Sequence, residues 1–286
     1  MSEIVLVTDS TADIPSEIRE RLGIEMVPLQ VLFGEESYLD NVTLSPAQFF
    51  EKLKGFGGMP KTSQPSPNDF LAVFQRLIAE RKTVISVHLS SAFSGTYQSA
   101  LIAQSMLEGE GDVTVIDSKS ASYGYGMLVV KSAELAKQGA SKAEIVAEIA
   151  RLRREMRLYF LVDTLEYLQR GGRIGKAAAL FGTLLNIKPI LTIGGDGVIY
   201  PVDKVRGQKR AFARIIELIE ADFGAGPIDL IAVDTPGDTQ AADELIEVLK
   251  GKFGVRQFHR SEIGSVVGAH TGPGTVGIFV LPAGSV

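Results

Sequence analysis

The chain has 286 residues, of which 45% are hydrophobic and 22% charged, a balance typical of a globular protein with a substantial core. The net charge of −5 argues against nucleic acid as a partner, and the absence of cysteine excludes disulfides, thiolate metal sites and a cysteine nucleophile. The first residues lack the pattern of a signal segment, and no apolar run approaches the ~20 residues that span a bilayer. We therefore expect a cytoplasmic protein without a transmembrane segment.

Strands alternate with helices through the first half of the chain. Strands are predicted at residues 4–8, 25–33, 83–87 and 113–116. Helices are predicted to begin after the caps Ser45, Ser66 and Ser141, and the glycine-rich segment 55–64 is expected to be a mobile loop. The alternation predicts an α/β fold in which residues 1–156 form a Rossmann-like domain with a doubly wound parallel sheet. Ligands of such sheets bind at the carboxyl ends of the strands.

The pattern changes after residue 156. Residues 187–193 and 198–205 are typical of a hairpin, and less regular helices and strands lead to a last strand at residues 276–281. We therefore predict that residues 157–286 form a second, smaller α/β domain with a mixed sheet.

The segment Thr83–Ala100 contains a candidate anion site. Its apolar strand is followed by a turn rich in hydroxyls, which includes Ser94 and Thr96, and a helical pattern begins at Gly95. Free backbone N–H groups and the helix dipole make such a turn suited to an anion. The alternative is that Ser94 only caps its helix.

A second candidate is His270, in the glycine-rich window Gly268–Gly274. A histidine between glycines is expected on a loop whose backbone closely approaches another group. The alternative is a plain turn with a solvated side chain. The other two histidines, His88 and His259, end apolar strands and are expected to be structural.

Two further groups of polar residues stand out. Thr62 and Ser63 precede a helix start that explains Ser66 and Pro67 but not these two hydroxyls. Several basic residues lie near glycines and strand ends, which suits either a phosphate or acidic-partner site or a solvated surface. They are Arg170, Arg173, Lys176, Lys204 and Arg206.

Catalytic templates fit this sequence poorly. Ser94 and His270 could be the nucleophile and base of a serine hydrolase or acyltransferase, but no third member is evident. The phosphate-binding glycine motifs of nucleotide enzymes are absent, so an enzyme acting on phosphosugars or nucleotides is a weaker alternative. A metal held by Asp9 and Asp13 would have no further ligands, so no metal is expected.

The motifs together resemble one family. They occur in the order TDSTADIP, KTSQPSP, SSAFSGTYQSA, TLEYLQRGGRIG, LNIKPIL and GAHTGPG. This set resembles the DegV family, and within it the fatty-acid-binding subunit (FakB) of bacterial fatty acid kinase. The resemblance implies that the two domains enclose one long-chain fatty acid in an apolar tunnel. It also implies that an ATP-dependent kinase subunit, and not this chain, converts the acid to acyl phosphate.

The resemblance also implies site residues. The carboxylate would be held by Thr62, Ser94 and His270, and we expect the whole ligand site to comprise Thr62, Ser63, Ser94, Gly95, Thr96, His270 and Thr271. The corresponding phosphate or partner docking residues are Arg173 and Arg206. Beyond the bound acid no cofactor is implied, and any contact with a membrane surface would be transient. The tunnel wall is expected among Phe49, Phe50, Phe93, Phe181 and residues 177–185, which could equally be core.

Overall fold

A computed structural model describes residues 2–182 and 187–286 of the chain. Their strands are β1 (Ile4–Asp9), β2 (Glu25–Val27), β3 (Gln30–Phe33), β4 (Glu36–Leu39), β5 (Lys61–Ser63), β6 (Thr83–His88), β7 (Asp112–Asp117), β8 (Arg157–Leu161), β9 (Ile187–Ile193), β10 (Ile199–Arg206), β11 (Ile228–Asp234), β12 (Val255–Glu262) and β13 (Val276–Pro282). Their α-helices are α1 (Ser16–Leu22), α2 (Pro46–Gly55), α3 (Pro67–Ala79), α4 (Thr96–Met106), α5 (Ser122–Lys137), α6 (Lys142–Glu155), α7 (Glu166–Arg170), α8 (Gln208–Phe223), α9 (Gln240–Lys252) and α10 (Ser265–Thr271).

The first half of the chain is built on a four-stranded parallel sheet in the order β2-β1-β6-β7. Neighbouring residues of one strand enter different cores, because side chains alternate across a sheet. Val7 and Val84 belong to one apolar cluster with helices α3 and α4, whereas Leu6 and Ile85 belong to another with helix α5. Helices therefore cover both faces, and the predicted doubly wound sheet is confirmed.

The strand predicted at residues 25–33 is wrong as a single element. Strand β2 ends the parallel sheet at Val27, and β3 begins an antiparallel sheet of order β4-β3-β5. Between them lie Pro28, which has no N–H to give to a ladder, and Leu29, whose N–H donates to Ser10 Oγ at 3.1 Å.

The segment expected to be a mobile loop, 55–64, is also partly ordered. Its last part is β5, in which Thr62 pairs with Val31 of β3. That pairing joins residues far apart in the chain, so local composition did not reveal it. It places the Thr62 hydroxyl on a strand instead of a loop.

The second half is built on a six-stranded mixed sheet in the order β10-β9-β8-β13-β11-β12, as predicted. Strand β13 lies between β8 and β11 and is antiparallel to both. One face packs on helices α8 and α9. From the other face Val233 and Phe279 enter the same apolar cluster as Leu6 and Tyr123 of the first half. The division into residues 1–156 and 157–286 stays a prediction.

None of the helices within the described residues combines the length and apolar character needed to cross a bilayer.

Replacing Gly124 by alanine should destabilise the protein. A Cβ at this position of α5 would overlap the ring of Phe279, which is 2% exposed and has little room to move. Overpacking of this kind costs about 1–3 kcal/mol, which urea unfolding would measure. The matched control is Gly251→Ala in α9, where a Cβ meets nothing within 4 Å, and the change should stabilise the helix by about 0.5–1 kcal/mol. Equal stability of the two variants would contradict this account of the packing.

Candidate functional site

A cavity of about 290 Å³ lies where the carboxyl ends of β1 and β6 meet β5, α10 and the mixed sheet. Much of its wall is apolar, contributed by Leu29, Leu89, Phe93, Leu158, Phe160 and Phe279. Polar side chains also line it, and Arg173 is the only charged one among the described lining residues. The cavity therefore suits a largely apolar molecule with a polar or anionic group.

Thr62 and His270 meet in this wall. Thr62 Oγ1 and His270 Nε2 are 2.8 Å apart, although 208 positions separate the residues in the chain. Burial, and then the positive charge of Arg173, lower the pKa of His270 to about 4, so the ring is neutral at pH 7. Its buried Nδ1 has no hydrogen-bond partner among the described residues and lies against Gly171.

The tautomer of His270 follows from these surroundings. A buried N–H without an acceptor is rarer than an unpaired acceptor, which favours the proton on Nε2. Nε2–H then donates to Thr62 Oγ1, and the Thr62 hydroxyl keeps its own hydrogen for another acceptor. The pair thus presents a donor toward the cavity.

His270 lies in the last turn of helix α10, so the expected loop is wrong. The glycines around it serve close packing more than turning. A Cβ on Gly268 would lie 2.6 Å from the ring of Phe50, and one on Gly272 would lie 2.7 Å from a ring atom of Tyr167. Gly272 also has a φ of 78° and ends the helix.

Ser94 lies between strand β6 and helix α4, and it lines the cavity. Its Oγ accepts a hydrogen bond from the backbone N–H of Thr96 at 3.3 Å and lies 2.9 Å from Thr96 Oγ1. The N-cap position itself is occupied by Gly95. Ser94 therefore helps to satisfy the helix start while its side chain still borders the cavity.

Arg173 also lines the cavity, and its guanidinium joins two loops. Nε donates to the carbonyl of Phe93 at 2.9 Å, and Nη1 donates to the carbonyl of Gly171 at 2.6 Å. Arg206, the other residue expected for docking, is exposed at the end of β10 and is not among the described lining residues.

The cavity brings together most of the expected ligand residues. Those that line it are Thr62, Ser63, Ser94, His270 and Thr271, whereas Gly95 and Thr96 are not among its described lining residues. Their roles stay predictions.

Of the four phenylalanines expected in the tunnel wall, only Phe93 is among the described lining residues of the cavity. Phe49 and Phe50 are core residues that support α10, and Phe181 is 48% exposed. Residues 183–185 of the expected wall segment 177–185 lie outside the described part of the chain.

Sequence reasoning missed several lining residues. Gln64, within the KTSQPSP motif, is one of them, because its partner Ser99 lies 35 positions away and gives no local signal. Phe160 lies on β8 and Phe279 on the predicted last strand, but which face of these strands borders a cavity depends on how the two sheets meet. Thr11 and Ser122 line it from the ends of the parallel sheet.

His88 is fully buried behind the cavity in a polar network. Nδ1 lies 3.0 Å from Asp9 Oδ2, and Nε2 lies 2.7 Å from Ser86 Oγ. Burial raises the pKa of Asp9, but hydrogen bonds and charge from His88, with the hydroxyls of Thr11 and Tyr125, outweigh it and lower the pKa. The carboxylate of Asp9 is thus stabilised by hydrogen bonds from its neighbours. No group of three or more potential metal ligands is found among the described residues.

Two buried carboxyl groups lie at helix starts, Asp40 at α10 and Asp13 at α5. Asp40 Oδ1 accepts a hydrogen bond from the backbone N–H of Ser265 at 3.2 Å, and Asp13 Oδ2 accepts one from Ser122 Oγ at 2.5 Å. Burial raises the pKa of Asp40 to about 6, although hydrogen bonds from Ser10 and Ser265 oppose the shift. Burial also raises the pKa of Asp13 well above its usual range.

Comparison with known proteins gives consistent results. The family model described as "Uncharacterised protein, DegV family" matches residues 3–283. Protein DegV of Bacillus subtilis (strain 168) is 42% identical over 276 residues, which span 96% of this chain and 98% of that protein.

Two solved structures share the fold over nearly the whole chain. One, described as showing fatty acid binding of a DegV family protein from Thermus thermophilus, has a TM-score of 0.91 at 41% identity and covers 98% of this chain and 99% of that chain. The crystal structure of DegV from Bacillus subtilis, described as a fatty acid binding protein, has a TM-score of 0.88 at 39% identity with the same coverage.

The raised pKa of Asp40 should make stability depend on pH. Between the unfolded value of about 3.9 and about 6 in the folded protein, the folded state binds more protons, so the free energy of unfolding falls as pH rises. Asp40→Asn mimics the protonated acid and should lose this part of the dependence. Relative to the wild type, it should gain up to about 3 kcal/mol between pH 4 and pH 7. Urea unfolding at both pH values measures this, and a stability difference that is independent of pH would contradict it.

Proposed function

The chain belongs to the DegV family, and on that premise we propose that it binds one long-chain fatty acid in the cavity and presents the carboxylate to a separate ATP-dependent kinase. The observation that carries the proposal is the cavity itself, an apolar space into which Thr62, Ser94 and His270 bring their polar atoms. The solved relatives described as fatty acid binding support the choice of ligand.

The polar part of the cavity suits a carboxylate. Its described lining contains no acidic side chain, and Arg173 supplies a positive charge. The hydroxyls of Thr62 and Ser94 are donors, and the bond from His270 Nε2–H to Thr62 Oγ1 leaves the Thr62 hydroxyl hydrogen for the acid. Hydrogen bonds to an ionised acceptor are stronger than neutral ones. The lowered pKa of His270 keeps its ring neutral, so it would act on the acid through its bond to Thr62 and not as a counter-ion.

The apolar part suits the acyl chain. Each methylene removed from water contributes about 0.8 kcal/mol, so a long chain supplies most of the affinity while the head group fixes its position. No cofactor besides this ligand is part of the proposal.

A serine hydrolase is less well supported. His270 Nε2 contacts Thr62 and not Ser94, whose hydroxyl bonds Thr96. His270 Nδ1 has no partner within the described residues, so no acid orients the ring as in a catalytic triad. We therefore assign the chain a binding role without turnover, in the cytoplasm where its kinase partner finds ATP.

The binding proposal is tested by native mass spectrometry and calorimetry. The purified protein should carry a long-chain fatty acid or take up added palmitate or oleate. His270→Gln should retain part of the affinity because an amide can still donate to Thr62 Oγ1. His270→Ala should lose about tenfold or more, because the Thr62 hydroxyl would lose the partner that orients it toward the carboxylate, and a bond to a charged group contributes roughly 1.5–3 kcal/mol.

The same variants separate a carrier from an enzyme. Turnover of a chromogenic acyl ester is measured in parallel, with Ser94→Ala as the control for a nucleophile. Wild-type turnover that vanishes in Ser94→Ala and in both His270 variants, with fatty acid binding unchanged, would show that the chain is a hydrolase.

Arg206 offers a test of kinase docking that leaves the cavity untouched. Because it is exposed and outside the described cavity lining, Arg206→Ala should leave palmitate affinity unchanged and lower acyl phosphate formation with a purified bacterial fatty acid kinase subunit. Arg173→Ala should lower both, since Arg173 borders the cavity. Unchanged acyl phosphate formation in Arg206→Ala would remove this residue from the proposed docking surface.

A further inference from the structure

We infer that Gln64 is a positioning residue, which locks the strand carrying Thr62 to the start of the helix beside Ser94 and so sets the spacing of the two hydroxyls. The inference rests on the proposed function, because the spacing matters for a carboxylate held by both hydroxyls. Gln64 is not itself assigned a contact with the ligand.

The side chain of Gln64 bridges two separate elements. The residue follows directly after β5, and its Nε2 donates to Ser99 Oγ in the first turn of α4 at 3.2 Å. Ser99 is 3% exposed, and its own N–H donates to the carbonyl of Gly95 at 2.8 Å. The bridge therefore ends on a part of the helix that cannot move independently of Gly95 and Ser94.

Gly95 shows how closely the amide packs. A Cβ there would lie 2.5 Å from Gln64 Nε2 and 2.7 Å from Cδ, and the three nearest atoms all belong to Gln64. The φ of Gly95 is −73°, which any residue can adopt, so its backbone does not require glycine. The amide of Gln64 lies against the Cα of Gly95, and this contact is the reason for a small residue at position 95.

The backbone fixes the direction of this side chain. Gln64 precedes Pro65, and a residue before proline is restricted to extended conformations. Thr62, two positions earlier, is held by its pairing with Val31. A short, rigid segment thus connects the Thr62 hydroxyl to the amide that rests on Gly95, next to Ser94.

Gln64 is also exposed to solvent on its outer side. Removing its amide opens no closed hole in the core, so Gln64→Ala is expected to fold with little loss of stability. The main effect should be a change in the spacing between the hydroxyls of Thr62 and Ser94.

The test is calorimetric binding of palmitate and of hexadecanol, which has the same chain but no carboxylate. Gln64→Ala and Ser99→Ala, which removes the acceptor of the bridge, should each weaken palmitate binding about fivefold to tenfold and change hexadecanol binding less than twofold. Gly95→Ala should weaken palmitate binding at least tenfold in the wild type. In the Gln64→Ala background the same Gly95→Ala change should weaken palmitate binding less than threefold, because the clashing amide is absent.

The outcomes separate this inference from the proposed function. If the wild type binds neither added palmitate nor a copurified fatty acid, the proposed function fails and the inference falls with it. If the wild type binds palmitate, three results overturn the inference alone. The first is an unchanged palmitate affinity in Gln64→Ala, and the second is an equal loss of affinity for palmitate and for hexadecanol. The third is a Gly95→Ala change that weakens palmitate binding as much in the Gln64→Ala background as in the wild type.

Discussion

The site depends on where helix α10 lies. The N–H of its first residue, Ser265, donates to Asp40. Gly268 lets its middle pack on Phe50, and Gly272 lets its end pack on Tyr167. With the helix held along its length, His270 reaches Thr62 at 2.8 Å. The contacts that hold the helix are made by residues other than His270, so packing that lies outside the cavity sets the geometry of the Thr62–His270 pair.

The polarity of the cavity follows from the same arrangement. A buried imidazole beside a guanidinium stays neutral, because low dielectric and like charge both oppose its protonation. Arg173 in turn is bound to the carbonyls of Phe93 and Gly171, which keeps its charge near the ring. The cavity therefore combines donors and one cation with apolar walls, an environment suited to an anion with an apolar part.

Features with local causes could be predicted from the sequence. The caps at Ser45, Ser66 and Ser141 all form capping boxes, and the strands of both sheets follow their apolar patterns. Features that depend on distant residues could not. The pairing of β5 with β3 gave no local signal, and the glycines near His270 resemble turn residues until their neighbours Phe50 and Tyr167 are known. Gln64 was overlooked for the same reason, since its partner Ser99 lies 35 positions away.

The central place of strand β13 has a consequence for biosynthesis. A ribosome delivers residues in order, and domains fold as their segments emerge. Strand β13, which joins β8 to β11 in the middle of the mixed sheet, is delivered after both of them. Until β13 is made, the edges of β8 and β11 that pair with it have no partner strand. The nascent chain must therefore pass through a stage in which the mixed sheet is incompletely paired and chaperones can recognise it.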